Sequence, residues 1–442
     1  MRKYGNENIQ YNNKFELKED LQHGREGASM EDRFIPQLLF YAVIFTIPYY
    51  ALRSITEASL FLKVDWLLVL LLAGIVAPAL VIQKGLPERM KSNLWPWILL
   101  FIIANLISSV ISPYSATAIS RFVNIVVLGT IFMALNMVML TRKGLVEIMP
   151  VVLGWSVGIN AFFGALEYFF DYSVLGGAGE RGTGFTIGSN NMALMSVFTI
   201  PLLVHWFRFA EKQYSRVVSL FLIALNFLGV VSSASRGGFL NMVIIFLLIA
   251  FELRHKFHPR YLGVVVALVM GMLLAGVSVM PEDYLARQAT ILEGTDADKS
   301  TSRRTDYLVV GFRSFLGHPV LGTGTQTFSK IWVRSEETLK YDYVERPAHN
   351  TYMEVLVGSG VVGLSMFLAI LWQCWRNFSK ARNLYCKTNN DFMLSLVSAY
   401  RLSFLSVCMY LFFKSALDHK MYLLIIPISS VVLFYAKKDC LR

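Results

Sequence analysis

An arginine joining two apolar runs is the residue of this chain whose chemistry most needs explaining. Arg236 lies in VVSSASRGG (230–238), where it ends one apolar stretch and precedes a glycine pair that opens the next. A guanidinium with no loop to retreat into is costly at a membrane, unless it snorkels to the interface or grips something. Arg121, Arg181 and the adjacent Arg303 and Arg304 are candidates to join it. Arginine's planar fork matches phosphate oxygens and keeps its charge in a low dielectric, so several of them beside lipid suit a lipid diphosphate. The alternative is pairing with Asp171, Glu180, Glu282, Asp283 or Asp306, or with anionic headgroups. His349, in RPAHNTYMEVLVGSG just before an apolar run, is placed to take a proton from a hydroxyl. A purely structural histidine is the competing reading. Glu354 lies about 140° round a continuous helix from His349 and shares a face with Asn350, which leaves it at most a supporting role.

Other polar residues carry weaker signals. Asp296-Ala297-Asp298 could hold a divalent metal, but GTDADKS reads as a solvated turn. His318, His349 and His419 lack metal-ligand spacing, so no metal and no cofactor is expected. Gly322-Thr323-Gly324-Thr325 is not followed by Lys-Ser/Thr; it reads as a tight turn before Phe328, not a phosphate loop. Asp418-His419 reads as a pair of polar caps. Arg401, Asp65 and Glu167 fall inside apolar spans, where each needs a partner within a bundle.

These residues must be positioned by helices. The chain has 442 residues, of which 55% are hydrophobic and 16% charged, against roughly 25% charged in soluble proteins. Apolar runs long enough to span a bilayer fall at 34–52, 64–82, 94–112, 122–140, 145–170, 191–207, 217–234, 237–253, 262–280, 353–375, 392–413 and 421–437. The expected fold is therefore an all-α polytopic membrane protein of about 12 transmembrane helices. The pair meeting at Arg236 could also be one long broken helix. Residues 1–33 are polar, with no apolar stretch of signal-peptide type.

Orientation follows from the short loops. Lys84, Arg89, Lys91, Arg142, Lys143, Arg208, Lys212, Arg216, Arg254, Lys256, Arg260, Arg376, Lys380, Arg382 and Lys387 gather on one side. The other side has only Arg53, Lys63, Arg121, Arg181, Arg236, Lys414 and Lys420. The fifteen-residue side is cytoplasmic by this rule, and so are both termini. The net charge of +11 thus reads as topology signal and does not point to nucleic acid. The expected order is a cytoplasmic tail (1–33), transmembrane helices 1–9 (34–280), one large extracytoplasmic loop of short helices (281–349), and transmembrane helices 10–12 with a short tail (350–442). The loop carries Arg303, Arg304, Arg313, Arg334, Arg346 and His349. The spacing of Leu308, Phe312 and Phe315 predicts amphipathic helix lying on the outer membrane face. The cysteines (Cys374, Cys386, Cys408, Cys440) fall on spans or the cytoplasmic side, so no disulfide framework is expected.

Four segments in order resemble a known family: RGTGFTIGSNNMAL with Arg181, Asn190 and Asn191; SRGG at 235–238; SRRTDYLVVGFRSFLGHPVLGTGTQTF; and AHNTYMEVLVGSGVVG. Together they resemble the O-antigen ligase and polymerase superfamily of bacterial membrane glycosyltransferases. The resemblance implies a GT-C-like helical fold in the bacterial cytoplasmic membrane, with its site at the outer face. It implies a glycan donor on undecaprenyl diphosphate and a hydroxyl acceptor. The acceptor is a lipid A-core sugar in ligases, another lipid-linked repeat in polymerases of O-antigen, capsule or exopolysaccharide, and a protein serine in O-oligosaccharyltransferases. By motif, Arg236 and either Arg303 or Arg304 would hold the diphosphate, and His349 would assist the acceptor. The ligase reading is preferred. A carrier is the main rival, because twelve spans with internal termini also suit transport. Carriers of that plan have a long cytoplasmic 6–7 loop, whereas here the long loop follows span 9 and lies outside. A scaffold would leave the embedded arginines unexplained.

Overall fold

The computed structural model describes residues 34–49, 64–82, 86–172, 181–254, 299–341 and 343–441. Its helices are α1 (Phe34–Phe45), α2 (Val64–Ile82), α3 (Trp95–Ile111), α4 (Ser115–Met139), α5 (Gly144–Phe170), α6 (Ser189–Phe209), α7 (Gln213–Ser232), α8 (Arg236–Leu253), α9 (Lys299–Gly317), α10 (Phe328–Trp332), α11 (Thr351–Lys387), α12 (Asp391–Tyr410) and α13 (Lys420–Cys440). No strand occurs among the described residues. Eight helices, α4–α8 and α11–α13, are long and apolar enough to cross a membrane, and three shorter apolar helices lie at Phe34–Phe45, Leu67–Pro78 and Trp95–Ile111. Eleven of the twelve expected spans therefore coincide with helices. The remaining one, 262–280, lies outside the described residues, as do Glu180, Glu282, Asp283, Asp296 and Asp298.

Helix α6 is the axis of the bundle. It packs against α5, α7, α8 and α12, and nearly every side chain from Asn191 to Leu203 is buried. Glycines let its neighbours close in, as is usual where helices meet in lipid: a Cβ at Gly229 of α7 would lie 2.6 Å from the Ala161 Cβ of α5 and 2.8 Å from the Ser196 Oγ of α6. A second group is formed by α11 with α3, α12 and α13, and by α13 with α4. Arg401 of α12 pairs with Glu252 of α8, which meets the expectation of a partner within the bundle. Glu167 does not pair with a cation in the same way. Its carboxylate accepts the Thr183 N–H at 2.6 Å and the Gly184 N–H at 2.9 Å, because the glycine-rich segment brings unpaired backbone donors to the end of α5.

Helix α1 stops at Phe45, short of the expected 52, and two further elements depart from the expected spans. Helix α4 begins at Ser115, so Arg121 is inside a helix rather than at its foot, and a wider π-helical turn follows at Phe122–Val127. Helix α11 runs to Lys387, well past the expected end at 375. Its charged last turns stay helical because they dock on α13, where Tyr385 donates to Asp439 at 3.0 Å.

The break inside α11 explains the GTGT sequence. Ser359 and Gly360 leave helical geometry, and Gly360 takes a φ of +64°. Into this break the 319–325 segment inserts: the Thr323 and Gly324 N–H groups donate to the Val357 and Gly358 carbonyls at 2.9 and 2.8 Å. From α3, Ser108 donates to the Gly358 carbonyl at 2.5 Å, and Ser109 bonds to Thr325 at 2.9 Å. A Cβ at Gly360 would sit 2.2 Å from the Val320 carbonyl oxygen, so only glycine fits. The expected tight turn before Phe328 is thus also a plug, and α10 begins at Phe328.

The expected amphipathic helix is α9, with its faces assigned differently from the simple spacing. Tyr307 and Val310 are buried in a small core with Phe328, Trp332, Ala348 and Val357. Leu308, Val309, Phe312 and Leu316 form the exposed side. The apolar row seen in the sequence is the outward face, and a second row packs inward.

Candidate active site

Two turns frame the site, and each places a non-glycine residue in left-handed geometry. One joins α7 to α8, with Ala234 at φ +44°; these are two helices, not one broken helix. Ser235 caps α8 by accepting the Gly238 N–H at 3.1 Å, so Arg236 occupies the first residue of an 18-residue helix. A helix start presents free N–H groups and a positive dipole end, both suited to an anion. The second turn precedes α11, with His349 at φ +51° and Asn350 accepting the Met353 N–H at 3.1 Å. Such strained residues persist only where their surroundings hold them, and they cluster at functional sites.

The glycine-rich segment is stitched to the first turn. Arg181 donates through Nε to the Ser233 carbonyl at 2.9 Å and through Nη2 to Asn190 Oδ1 at 3.3 Å. Ser235 donates to the same Asn190 oxygen at 2.7 Å, and the Gly182 N–H reaches the Ser232 carbonyl at 2.8 Å. Asn191 faces the other way and accepts the Tyr410 hydroxyl of α12. Thus the sequence-predicted Arg181, Asn190 and Arg236 share one turn, while Asn191 ties α6 to α12.

His349 is surrounded by positive charge. Burial, and then Lys414, Arg304, Arg346 and Arg303, pull its pKa down from 6.5 to about 3. Its ring lies 5.9 Å from that of Tyr307, and its Nδ1 is buried with no hydrogen-bond partner among the described residues. The left-handed turn folds the chain back, so Glu354 Oε1 accepts the Ala348 N–H at 2.8 Å and the Ser415 hydroxyl at 3.0 Å. Glu354 thus braces the chain just before His349, a supporting contact made through Ala348.

The adjacent arginines of α9 have different surroundings. Arg303 stacks over Tyr341 at 5.0 Å, and its charge acts on Tyr307. Arg304 acts on both His349 and Lys414. Arg121 is exposed; its charge reaches Glu354, but no hydrogen bond ties it to the other site arginines. Arg313 pairs with Glu337 at 3.0 Å, and Arg334 lies over Tyr114 at 4.9 Å. His419 caps α13 by accepting the Met421 N–H at 3.2 Å, the capping role expected of that pair.

Lys414 is the site residue that the sequence pattern does not single out, since it reads there only as a topology charge. It ends the turn after α12, and burial first, then Arg304 and Arg181, hold its pKa below the usual lysine range against the opposing effect of Asp418. One signal does point to it: it directly follows an apolar run on the side that carries Arg236 and His349.

These features define a class: a polytopic, all-helical membrane protein with a cationic site and one histidine at one end of the bundle. Residues 191–368 match the family model described as O-antigen ligase, and that match supports the O-antigen ligase superfamily. The matched region takes in Arg236, Arg303, Arg304, His349 and Glu354, whereas Arg181 and Lys414 lie outside it. No curated protein matches the chain. The family supports a ligase- or polymerase-type membrane enzyme that meets a glycolipid or sugar substrate at the bilayer.

Proposed function

We propose that the protein is a membrane glycosyltransferase that moves a glycan from undecaprenyl diphosphate to an acceptor hydroxyl, a lipid A-core sugar, on the outer face of the bacterial cytoplasmic membrane. One observation carries this reading. Arg181, Arg304, Lys414 and His349 come from four separate segments, yet Arg304 acts electrostatically on both Lys414 and His349, Lys414 acts on His349, and Arg181 acts on Lys414. A diphosphate leaving group gathers negative charge as the glycosidic bond breaks, and fixed cations in a low dielectric stabilise that charge without reorganising. The neutral imidazole of His349 takes the proton of the attacking hydroxyl. The C1–O–phosphate bond breaks with its electron pair going to phosphate, and attack from the opposite face inverts the anomeric carbon.

Nucleotide sugars are not expected outside the cytoplasm, so an activated donor there must arrive on a lipid. The test is purified protein in nanodiscs with a lipid-linked glycan and either lipid A-core or a second lipid-linked repeat. Transfer to lipid A-core, mostly lost in Arg236→Lys, is the expected result. Transfer only to the second repeat would make the protein a polymerase, and no transfer to either would overturn the ligase and polymerase readings together.

A further inference from the structure

The turn that follows α12 links the two halves of the site. Thr351 donates its N–H to the Leu411 carbonyl at 2.8 Å and its hydroxyl to the Lys414 carbonyl at 2.6 Å. The Ala416 N–H returns to the Thr351 hydroxyl at 3.0 Å. These bonds clamp the turn to the start of α11, two residues after His349. On the other side Phe413 packs on Gly237, where a Cβ would lie 3.1 Å from the ring. Lys414 is therefore held between the histidine turn and the helix start that carries Arg236.

Its ammonium is half-buried and makes no hydrogen bond or ion pair among the described residues. The groups acting on it are Arg304 from α9, Arg181 from the glycine-rich segment, and Asp418 from its own turn. Lys414 in turn acts on His349 and on His419 at the start of α13. An ammonium among cations, with one carboxylate near, is poorly compensated until an anion arrives. Arg303, by contrast, lies over the Tyr341 ring at 5.0 Å and is the weakest of the four cations acting on His349.

We propose that Lys414 is a donor-binding residue, which grips the diphosphate of the lipid-linked donor together with Arg181 and Arg304, while Arg303 serves the fold. The proposal rests on the glycosyltransferase reading. A lysine suits this position because a point charge on a flexible stem can follow the diphosphate as its charge grows, between arginines held in fixed geometry.

The experiment measures binding of farnesyl diphosphate to the full chain in nanodiscs, with inorganic pyrophosphate and phosphatidylglycerol as the other two probes. Lys414→Met is expected to weaken farnesyl diphosphate at least tenfold, and Arg303→Met less than threefold. Wild-type affinity should fall as pH rises through the lowered lysine titration, and this limb should vanish in Lys414→Arg, which keeps its charge. The limb is read in the wild-type protein, so it tests the idea even if a variant folds poorly. If Lys414→Met binds like wild type while Arg304→Met and Arg236→Lys do not, the proposal fails and the glycosyltransferase reading stands. If wild-type protein binds pyrophosphate or phosphatidylglycerol equally well, Lys414 belongs to a general anion site and the proposal fails. If it binds none of the probes, both readings fall.

Discussion

Glu354 accepts the backbone N–H of Ala348 at 2.8 Å, so a carboxylate in the first turn of α11 holds the residue just before His349. The same oxygen takes the Ser415 hydroxyl and thereby joins the histidine turn to the turn of Lys414. Removing it strands a buried N–H and a hydroxyl, at a cost of about 1–3 kcal/mol for such a group. Glu354→Ala should lower the melting temperature and the turnover rate. Glu354→Gln, which keeps an acceptor oxygen, should restore both. Thermal melting and kcat in the same detergent check this, and a melting temperature unchanged in Glu354→Ala would show that the staple holds nothing.

Arg236 and Arg181 differ in what they hold. Arg181 spends its Nε on the Ser233 carbonyl and reaches Asn190 with Nη2, so Arg181→Lys should loosen the turn as well as weaken the donor. Arg236 starts α8, and Arg236→Lys should purify and melt normally yet lose most transfer, because a point ammonium cannot replace a bidentate fork. Side-by-side melting curves and donor titrations separate the two. Full activity in Arg236→Lys would return that residue to snorkelling.

Much of this site is legible in the amino-acid sequence, and the reason is energetic. A charge within an apolar stretch is expensive, so Arg236, Arg401 and Glu167 stand out, and Arg181 and Asn190, picked out by the order of motifs, bond to the turn that carries the first of them. What is not legible depends on chain reversal. The Glu354–Ala348 bond is not legible because helical spacing assumes a continuous helix, and His349 at φ +51° breaks that assumption. Lys414 reads as a topology signal because its clamp, Thr351, lies more than sixty residues away in sequence. The GTGT plug needs the break at Ser359–Gly360 to receive it, and no local pattern reports that pairing.

The membrane orientation is checked with cysteines already present. Cys386 and Cys440 are exposed at the end of the bundle opposite His349. A membrane-impermeant thiol reagent should leave both unlabelled in intact spheroplasts and label them after lysis. Glu336→Cys and Lys340→Cys, at exposed positions of the segment before His349, should be labelled without lysis. The reverse pattern would turn the site towards the cytoplasm and overturn the lipid-linked donor.

Fixed cations supply the positive charge that a metal would otherwise bring to a diphosphate. Glycan transfer by the purified protein should therefore persist in excess EDTA. Loss of transfer that Mg²⁺ or Mn²⁺ restores would point to carboxylates, with Asp296 and Asp298 the first to substitute.

The histidine should show an unusual pH dependence. Burial, then Lys414, Arg304, Arg346 and Arg303, favour its neutral form, with the pKa drawn down to about 3. The imidazole is therefore a free base at neutral pH, and kcat/KM should stay flat across the ordinary histidine range, because that parameter reports the free enzyme. Bound diphosphate offsets the four cations, so the acid limb of kcat should appear at higher pH than that of kcat/KM. Both limbs should vanish in the residual activity of His349→Gln. A general base contributes about 10²–10⁴-fold, so His349→Ala should lose that much kcat while donor affinity stays within about twofold. Stability follows the same titration. The folded pKa lies below the unfolded value of 6.5, so His349 costs no stability above that value, and stability is lost as pH falls from there towards about 3. His349→Gln should remove this part of the acid sensitivity, measured as melting temperature against pH. If His349→Ala transfers glycan at the wild-type rate, the proton is taken elsewhere, and Glu354 or Asp418 is the next group to test.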